Sequence, residues 1–315
     1  MLVLLSLWRR RSTRRAARPG GDGCCRPVRC RGRRHVPERS RRCRRRGRRQ
    51  QHRPPGPVVA TDTVDRSRPG GAAVRLTDHV TLVASGAAGF DLSDPLDCHA
   101  YLVRGSRRSV LVDAGAGRSV HSILRNAGTE PDHLLLTHGH ADHAGGAAAL
   151  AEHLPGLRVL AGAAAVRWIA EGDEEGLSVD KGRAAGVYPD DYAFRPCPRV
   201  EPVADGTEID LGGGVVLRAV ATPGHADGHT CYHLRTPAYR ALFSGDCVFT
   251  GGRISLQNLH DCRVPEYAAS LTRLAALDVD ALFPGHHEVS LARAGRHLAA
   301  ARDTVARGLM PRSTT

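Results

Sequence analysis

The chain has 315 residues and a formal net charge of +13, a length that holds one large domain or two small ones. The charge is lopsided, because residues 1–71 contain 22 of the 45 Lys and Arg residues but four of the 32 acidic ones. The remainder is mildly acidic, which speaks against a folded part that grips a polyanion, and it has no apolar run long enough to span a bilayer.

Residues 1–73 read as a disordered, Arg-rich tail. Runs such as Arg41-Arg42 and Arg44-Arg45-Arg46 alternate with Pro and Gly. Such a stretch cannot bury enough apolar surface to offset its ordering entropy. One reading makes it an arm for nucleic acid or acidic lipid. The favoured reading is a misplaced start site in a GC-rich genome, since basic arms usually mix Lys with Arg and this tail has no Lys. Leu2 to Trp8 precedes the arginines, the reverse of a secretory signal, and Arg14-Arg15 has no apolar stretch behind it. The expected location is therefore the cytoplasm. Four cysteines (Cys24, Cys25, Cys30, Cys43) lie in the tail. Cys98, Cys197, Cys231, Cys247 and Cys262 are scattered and form no CxxC pair, so neither a thiolate zinc site nor a disulfide framework is expected.

From Val74 onward the pattern is that of a folded α/β protein. Residues 80–83, 100–103 and 109–113 read as strands, and 119–126 as a helix closed by Gly128. A short buried strand at 134–136 leads into the segment 137–143, and helical and strand patterns follow at 147–154, 158–160 and 163–171. Residues 172–198 are acidic, contain Gly and Pro, and carry Tyr188, Tyr192 and Phe194. They read as an insertion with little regular structure, either a lid or a plain surface loop. Strands at 207–211 and 215–220 flank a hairpin turn at Gly212-Gly213-Gly214. Strands at 231–234, 241–243 and 281–283 and helices at 265–277 and 290–307 complete the chain. Strand groups followed by helices, occurring twice, suggest two packed sheets with helices outside.

The segment Thr137-His138-Gly139-His140-Ala141-Asp142-His143 places three imidazoles and a carboxylate within six residues, on a strand-to-helix turn. Clusters of His and Asp at this density are the mark of a divalent metal site. Three further potential ligands follow glycines at strand ends: His225 after Gly224, Asp246 after Gly245, and His286 after Gly285. A small residue there lets the backbone turn sharply, so the next side chain leaves the sheet edge. Five His and two Asp suffice for two ions sharing a carboxylate.

HxHxDH followed in order by Gly-His, Gly-Asp and Gly-His resembles the metallo-β-lactamase-fold hydrolase superfamily, from about Val74 to the C-terminus. Val112-Asp113-Ala114-Gly115 is similar to the Asp-containing turn that precedes the cluster in that family. The resemblance implies a mixed α/β (α+β) fold over 74–315, a four-layer αββα sandwich with the site at one edge. It implies two divalent metal ions, zinc by preference, with iron or manganese as alternatives. His138, His140 and His225 would bind the first ion, Asp142, His143 and His286 the second, and Asp246 would bridge them. A hydroxide between the ions would be the nucleophile. Asp142 would double as the catalytic group that orients it and shuttles its proton, and Asp113 would hold the His-rich loop through hydrogen bonds.

Departures narrow the branch. Zinc β-lactamases of the main type have Cys where this chain has Asp246 and Arg where it has His143. Flavo-diiron oxygen reductases have Glu in place of His140. Glyoxalase II (hydroxyacylglutathione hydrolase) shares all seven ligands, but only 29 residues follow His286, too few for its glutathione-gripping helical domain. The expected activity is hydrolysis of an ester, thioester or lactone of a small metabolite. The alternatives are a persulfide dioxygenase holding one iron through His138, His225 and Asp246, and a nucleic-acid-binding protein that uses the Arg-rich tail, which the acidic folded part disfavours. His229 and His260 are candidates to line the pocket and Arg253 to contact an anion. His233 and His287 read as ordinary turn or core residues, and Asp227 as a solvated loop carboxylate.

Overall fold

The computed structural model describes residues 71–315, so the reading of residues 1–70 lies outside the described part. Two sheets form. In the first, β1 (Val74–Arg75), β2 (Val80–Ala84), β3 (Ala100–Arg104), β4 (Ser109–Val112), β5 (His133–Leu135), β6 (Arg158–Gly162) and β7 (Val200–Val203) lie side by side in chain order. Pairing is antiparallel from β1 to β4 and parallel from β4 to β7. The second sheet runs β8 (Glu208–Gly212), β9 (Val215–Ala221), β10 (Thr230–Arg235), β11 (Arg240–Gly245) and β12 (Ala281–Pro284), antiparallel except for the β11–β12 pair. The helices are α1 (Val120–Ala127), α2 (Ala141–Ala144), α3 (Ala147–His153), α4 (Ala163–Glu171), α5 (Val179–Ala184), α6 (Val264–Leu274) and α7 (Gly295–Val305).

Alternation along the strands creates the layers. Tyr101 and Val103 of β3 meet Phe243 of β11 and Phe283 of β12 in a core between the sheets. Their neighbours Ala100 and Leu102 face the other way, against Ile123 of α1, Leu150 of α3 and Ile169 of α4. On the far side, Leu242 and Leu282 pack against Tyr267 and Leu271 of α6 and Leu298 of α7. The order is helices, sheet, sheet, helices, the expected αββα sandwich. Each fully buried aromatic or leucine in these layers contributes about 1.5–3 kcal/mol.

Two buried tyrosines tie the sheets at the end that matters. The Tyr101 hydroxyl donates to the Pro284 carbonyl (2.6 Å), and the Tyr232 hydroxyl donates to the Leu136 carbonyl (2.9 Å). Pro284 and Leu136 immediately precede the two segments that carry His286 and His138. The strand ends of both sheets are thereby held in register.

Some expected boundaries move. The last helix starts at Gly295 rather than residue 290, because Ser290 instead pairs with Leu282 in a β-bridge. The strand β7 has no counterpart in the sequence reading. Pro202 masks it, yet β7 is the edge of its sheet, where a missing N–H is tolerated. Residues 172–198 hold α5 and a series of turns, and Tyr188, Tyr192 and Phe194 are all buried in the outer core of the first sheet. No helix among the described residues is long and apolar enough to cross a membrane.

Candidate metal centre

The HxHxDH segment begins where β5 ends. His140 precedes α2, so Asp142 and His143 occupy its first turn and point back toward the loop. Asp113, which follows β4, anchors this arrangement. Its backbone is left-handed (φ 62°), an uncommon state for a residue other than glycine. That turn brings its carboxylate under the loop. Oδ1 accepts the Thr137 amide (2.7 Å), and Oδ2 accepts the Thr137 hydroxyl and His143 Nδ1 (both 2.9 Å). From the second sheet, His225 follows β9, Asp246 follows β11 and His286 follows β12. Gly285 has no room for a side chain: a Cβ there would lie 2.4 Å from Asp246 Oδ1 and 2.5 Å from His143 Cε1.

Hydrogen bonds on the far nitrogens decide which ring atoms face inward. His143 Nδ1 donates to Asp113, and His225 Nδ1 donates to the Ser255 carbonyl (2.9 Å). The Thr137 hydroxyl gives its proton to Asp113 and accepts from His138 Nδ1 (3.0 Å). His143, His225 and His138 therefore each turn Nε2 toward the centre. His140 is turned over. Its Nε2 looks toward the buried carboxylate of Asp261 (3.7 Å), and its Nδ1 faces inward.

The inward atoms form two sets. His140 Nδ1 lies 3.0 Å from His138 Nε2 and 3.2 Å from His225 Nε2. Three lone pairs pointed at one another repel unless a cation sits among them. The edge between two nitrogens bound tetrahedrally at about 2.0–2.1 Å is about 3.3 Å, so the spacing fits. In the second set, His286 Nε2 lies 3.1 Å from Asp142 Oδ2 and 3.3 Å from His143 Nε2. Asp246 stands between the sets. Its Oδ1 is 3.4 Å from His143 Nε2, and its Oδ2 is 3.6 Å from His286 Nε2 and 3.9 Å from His225 Nε2. Oδ1 is buried without a hydrogen-bond donor, as an atom reserved for a cation would be.

Burial opposes charge on His143 and His286, but the carboxylates around them outweigh it and raise both, so these two imidazoles would give up a proton to bind an ion. Burial, followed by neighbouring imidazoles, holds His138 well below the usual histidine range, and burial lowers His225 to about 4. Both are thus neutral, as ligands must be. Burial opposes ionisation of Asp246, but His286, His143 and His225 outweigh it and keep the carboxylate charged. These residues form three close groups, His138–His140–His225, His138–His143–Asp246 and Asp142–His143–His286, whose donors fit divalent ions.

All seven expected ligands converge. Asp113 is also where it was expected. His229 is buried, with its ring stacked on His138 at 5.1 Å and its Nδ1 against the Thr222 hydroxyl (2.9 Å), so it backs a ligand rather than lining a pocket. His260 stands away from the cluster, exposed and edge-on to Trp168 (5.7 Å). Arg253 pairs with Glu288 (2.8 Å) and donates to the Thr250 carbonyl. Asp227 is not a lone carboxylate, because Arg263 binds both its oxygens (2.7 and 2.8 Å). His287 packs against Phe249 (5.4 Å) and leaves the ligand position to His286.

Sequence reasoning missed four contributors. Asp261 backs His140, the Ser255 carbonyl fixes His225, the Tyr188 hydroxyl donates to Asp142 Oδ1 (3.1 Å), and Cys98 lies beside Asp113 and His143. Burial pushes the Cys98 thiol up to about 12, so it is a neutral packing group.

Residues 93–286 match the family model of the metallo-beta-lactamase superfamily. The lactamase-like protein vrtG of Penicillium aethiopicum is 30% identical over 223 residues, covering 69% of this chain and 60% of that protein. The thioesterase pkgB of Emericella nidulans is 31% identical over 61% of this chain and 46% of its own length. A hydroxyacylglutathione hydrolase of Aeromonas salmonicida is 30% identical over 62% of this chain and 63% of its own. The chain thus spans 46–63% of the length of these curated relatives. Among solved structures, the metallo-beta-lactamase SMB-1 bound to 2-mercaptoethanesulfonate superposes with a TM-score of 0.58 at 21% identity, covering 76% of this chain and 96% of that one. A HARLDQ-motif metallo-beta-lactamase of Cronobacter sakazakii gives 0.55 at 24% identity, covering 76% and 85%. Both share the fold.

Proposed function

The chain belongs to the metallo-beta-lactamase superfamily, and from that premise we propose that it is a dinuclear metal-dependent hydrolase acting on a thioester, or a related ester or lactone, of a small metabolite. The carrying observation is the pair of ligand sets with the Asp246 carboxylate between them, Oδ1 near His143 and Oδ2 between His286 and His225. His138, His140 and His225 would hold the first ion and Asp142, His143 and His286 the second, zinc by preference. Two such ions would lower the pKa of a water molecule toward about 7 and polarise the scissile carbonyl.

The protein's own part is positioning. Asp113, Thr137 and Ser255 hold these imidazoles with Nε2 turned inward. Asp142 is the partly exposed carboxylate of the cluster, with 20% of its side chain accessible, which supports the reading that it orients an attacking water. Names among the relatives, a thioesterase and hydroxyacylglutathione hydrolases, support the thioester class. The second ligand set supports two ions over the one-iron dioxygenase reading, which leaves His140, Asp142, His143 and His286 without work.

Elemental analysis of the purified chain, followed by thiol release from a panel of acyl thioesters, tests this. About two zinc ions per chain with thioester turnover is expected. One iron per chain with sulfur-dependent oxygen uptake would overturn it.

A further inference from the structure

Residues 172–198 pack on the HxHxDH loop through Leu177 and Tyr192 and reach one of its candidate ligands through Tyr188. The Tyr188 hydroxyl donates to Asp142 Oδ1 at 3.1 Å. Asp142 Oδ2 is left facing His286 Nε2 at 3.1 Å and His143 Nε2 at 3.5 Å. We infer that Tyr188 is a positioning residue for the second ion: by occupying Oδ1, its hydroxyl leaves Asp142 only Oδ2 with which to bind.

The segment is built to deliver that hydroxyl. The Tyr188 ring stacks on Tyr192 (4.9 Å between centroids, 21° between planes), and the Tyr192 hydroxyl is anchored on the Ala116 carbonyl (3.0 Å). Arg183 holds the Tyr192 carbonyl and Glu174 (both 2.6 Å), and Glu174 in turn accepts the Phe194 amide (3.2 Å). On the other face of Tyr188 lies Gly182 in α5. A Cβ there would fall 2.4 Å from Tyr188 Cδ2, so only glycine lets the ring close onto the helix. Stacking, ion pair and glycine leave the phenol one place to go. A carboxylate with one oxygen already bonded binds an ion through the other; without that bond it is free to swing both oxygens onto the ion. The first arrangement keeps an open position at the second ion, the one a hydrolase needs for substrate.

The inference rests on the proposal that Asp142 is a ligand, and cobalt(II) titration separates the two. The full-length protein is stripped of metal, loaded with cobalt(II) and followed by visible absorption, with affinity measured by chelator competition. Tyr188→Phe is expected to bind the second cobalt about tenfold more weakly, the scale of removing an outer hydrogen-bond partner from a metal-binding group. Its visible bands should weaken as the freed carboxylate raises the coordination number. Tyr192→Phe, which loosens the anchor of the stack on Ala116 but keeps the Tyr188 hydroxyl, should change both readings by less than Tyr188→Phe does. Gly182→Ala, which displaces the Tyr188 ring but keeps its hydroxyl, should fall between them and carries the test if Tyr188→Phe does not fold. Unchanged affinity and spectrum in Tyr188→Phe, or the same change in Tyr192→Phe, would overturn the role of Tyr188. Asp142→Ala binding two cobalt ions with full affinity would instead overturn the ligand assignment beneath it.

Discussion

The two halves of the metal centre differ in their access to water. In the half formed by His138, His140 and His225, the side chains are 0%, 9% and 0% exposed at most. In the other half Asp142 is 20% and His286 16% exposed, although His143 is fully buried. The sealed half is also the better braced, with Thr137, Ser255 and Asp261 behind its three rings. On the proposed reading, one half would keep its ion and the other would share one with solvent and substrate.

The largest expected effect falls on the residue common to both. Asp246→Ala should release the ion of the open half and lower thioester turnover about 10²-fold or more, the scale of losing one preorganised electrostatic group. Elemental analysis and initial rates check it, and near-normal rates would break the shared-carboxylate arrangement. Graded chelation sharpens the contrast between halves: zinc should leave in two steps, the open half first, and a single step would mean the difference in exposure has no consequence. Asp113→Ala, which frees His143 and Thr137 at once, should weaken metal binding about 10–100-fold, measured by competition with a zinc indicator dye. At the small end, His260→Ala should leave metal content and turnover unchanged within error, since that ring touches Trp168 rather than either half.

The same division separates what could be read from the amino-acid order and what could not. All seven converging side chains were legible because each either lies within one short loop or follows a glycine at a strand end, where backbone chemistry alone says the side chain leaves the sheet. The braces were not. Ser255 acts through its carbonyl, an atom every residue has. Tyr188 is 46 positions from Asp142 in sequence, and no periodicity connects them. His260 was a candidate for the pocket, whereas its neighbour Asp261, not singled out, turns toward His140 while His260 lies exposed beside Trp168. In a turn without regular spacing there is no pattern to say which neighbour faces the interior. The layered fold was readable for the opposite reason, because alternation and strand grouping repeat over many residues, whereas β7 was hidden by its own proline.

Each ligand set draws on both sheets: His138 and His140 with His225, and Asp142 and His143 with His286. A cation bound to either set is a rivet through the sandwich, so metal affinity becomes resistance to unfolding. Free zinc at about a thousand times the dissociation constant of a site would add about 4 kcal/mol. If the ions bind as proposed, the rigidity of this chain would be set partly by its surroundings. It would be a firmer body in a zinc-replete cell than in a starved one, and more readily cleared by proteases when the metal runs short.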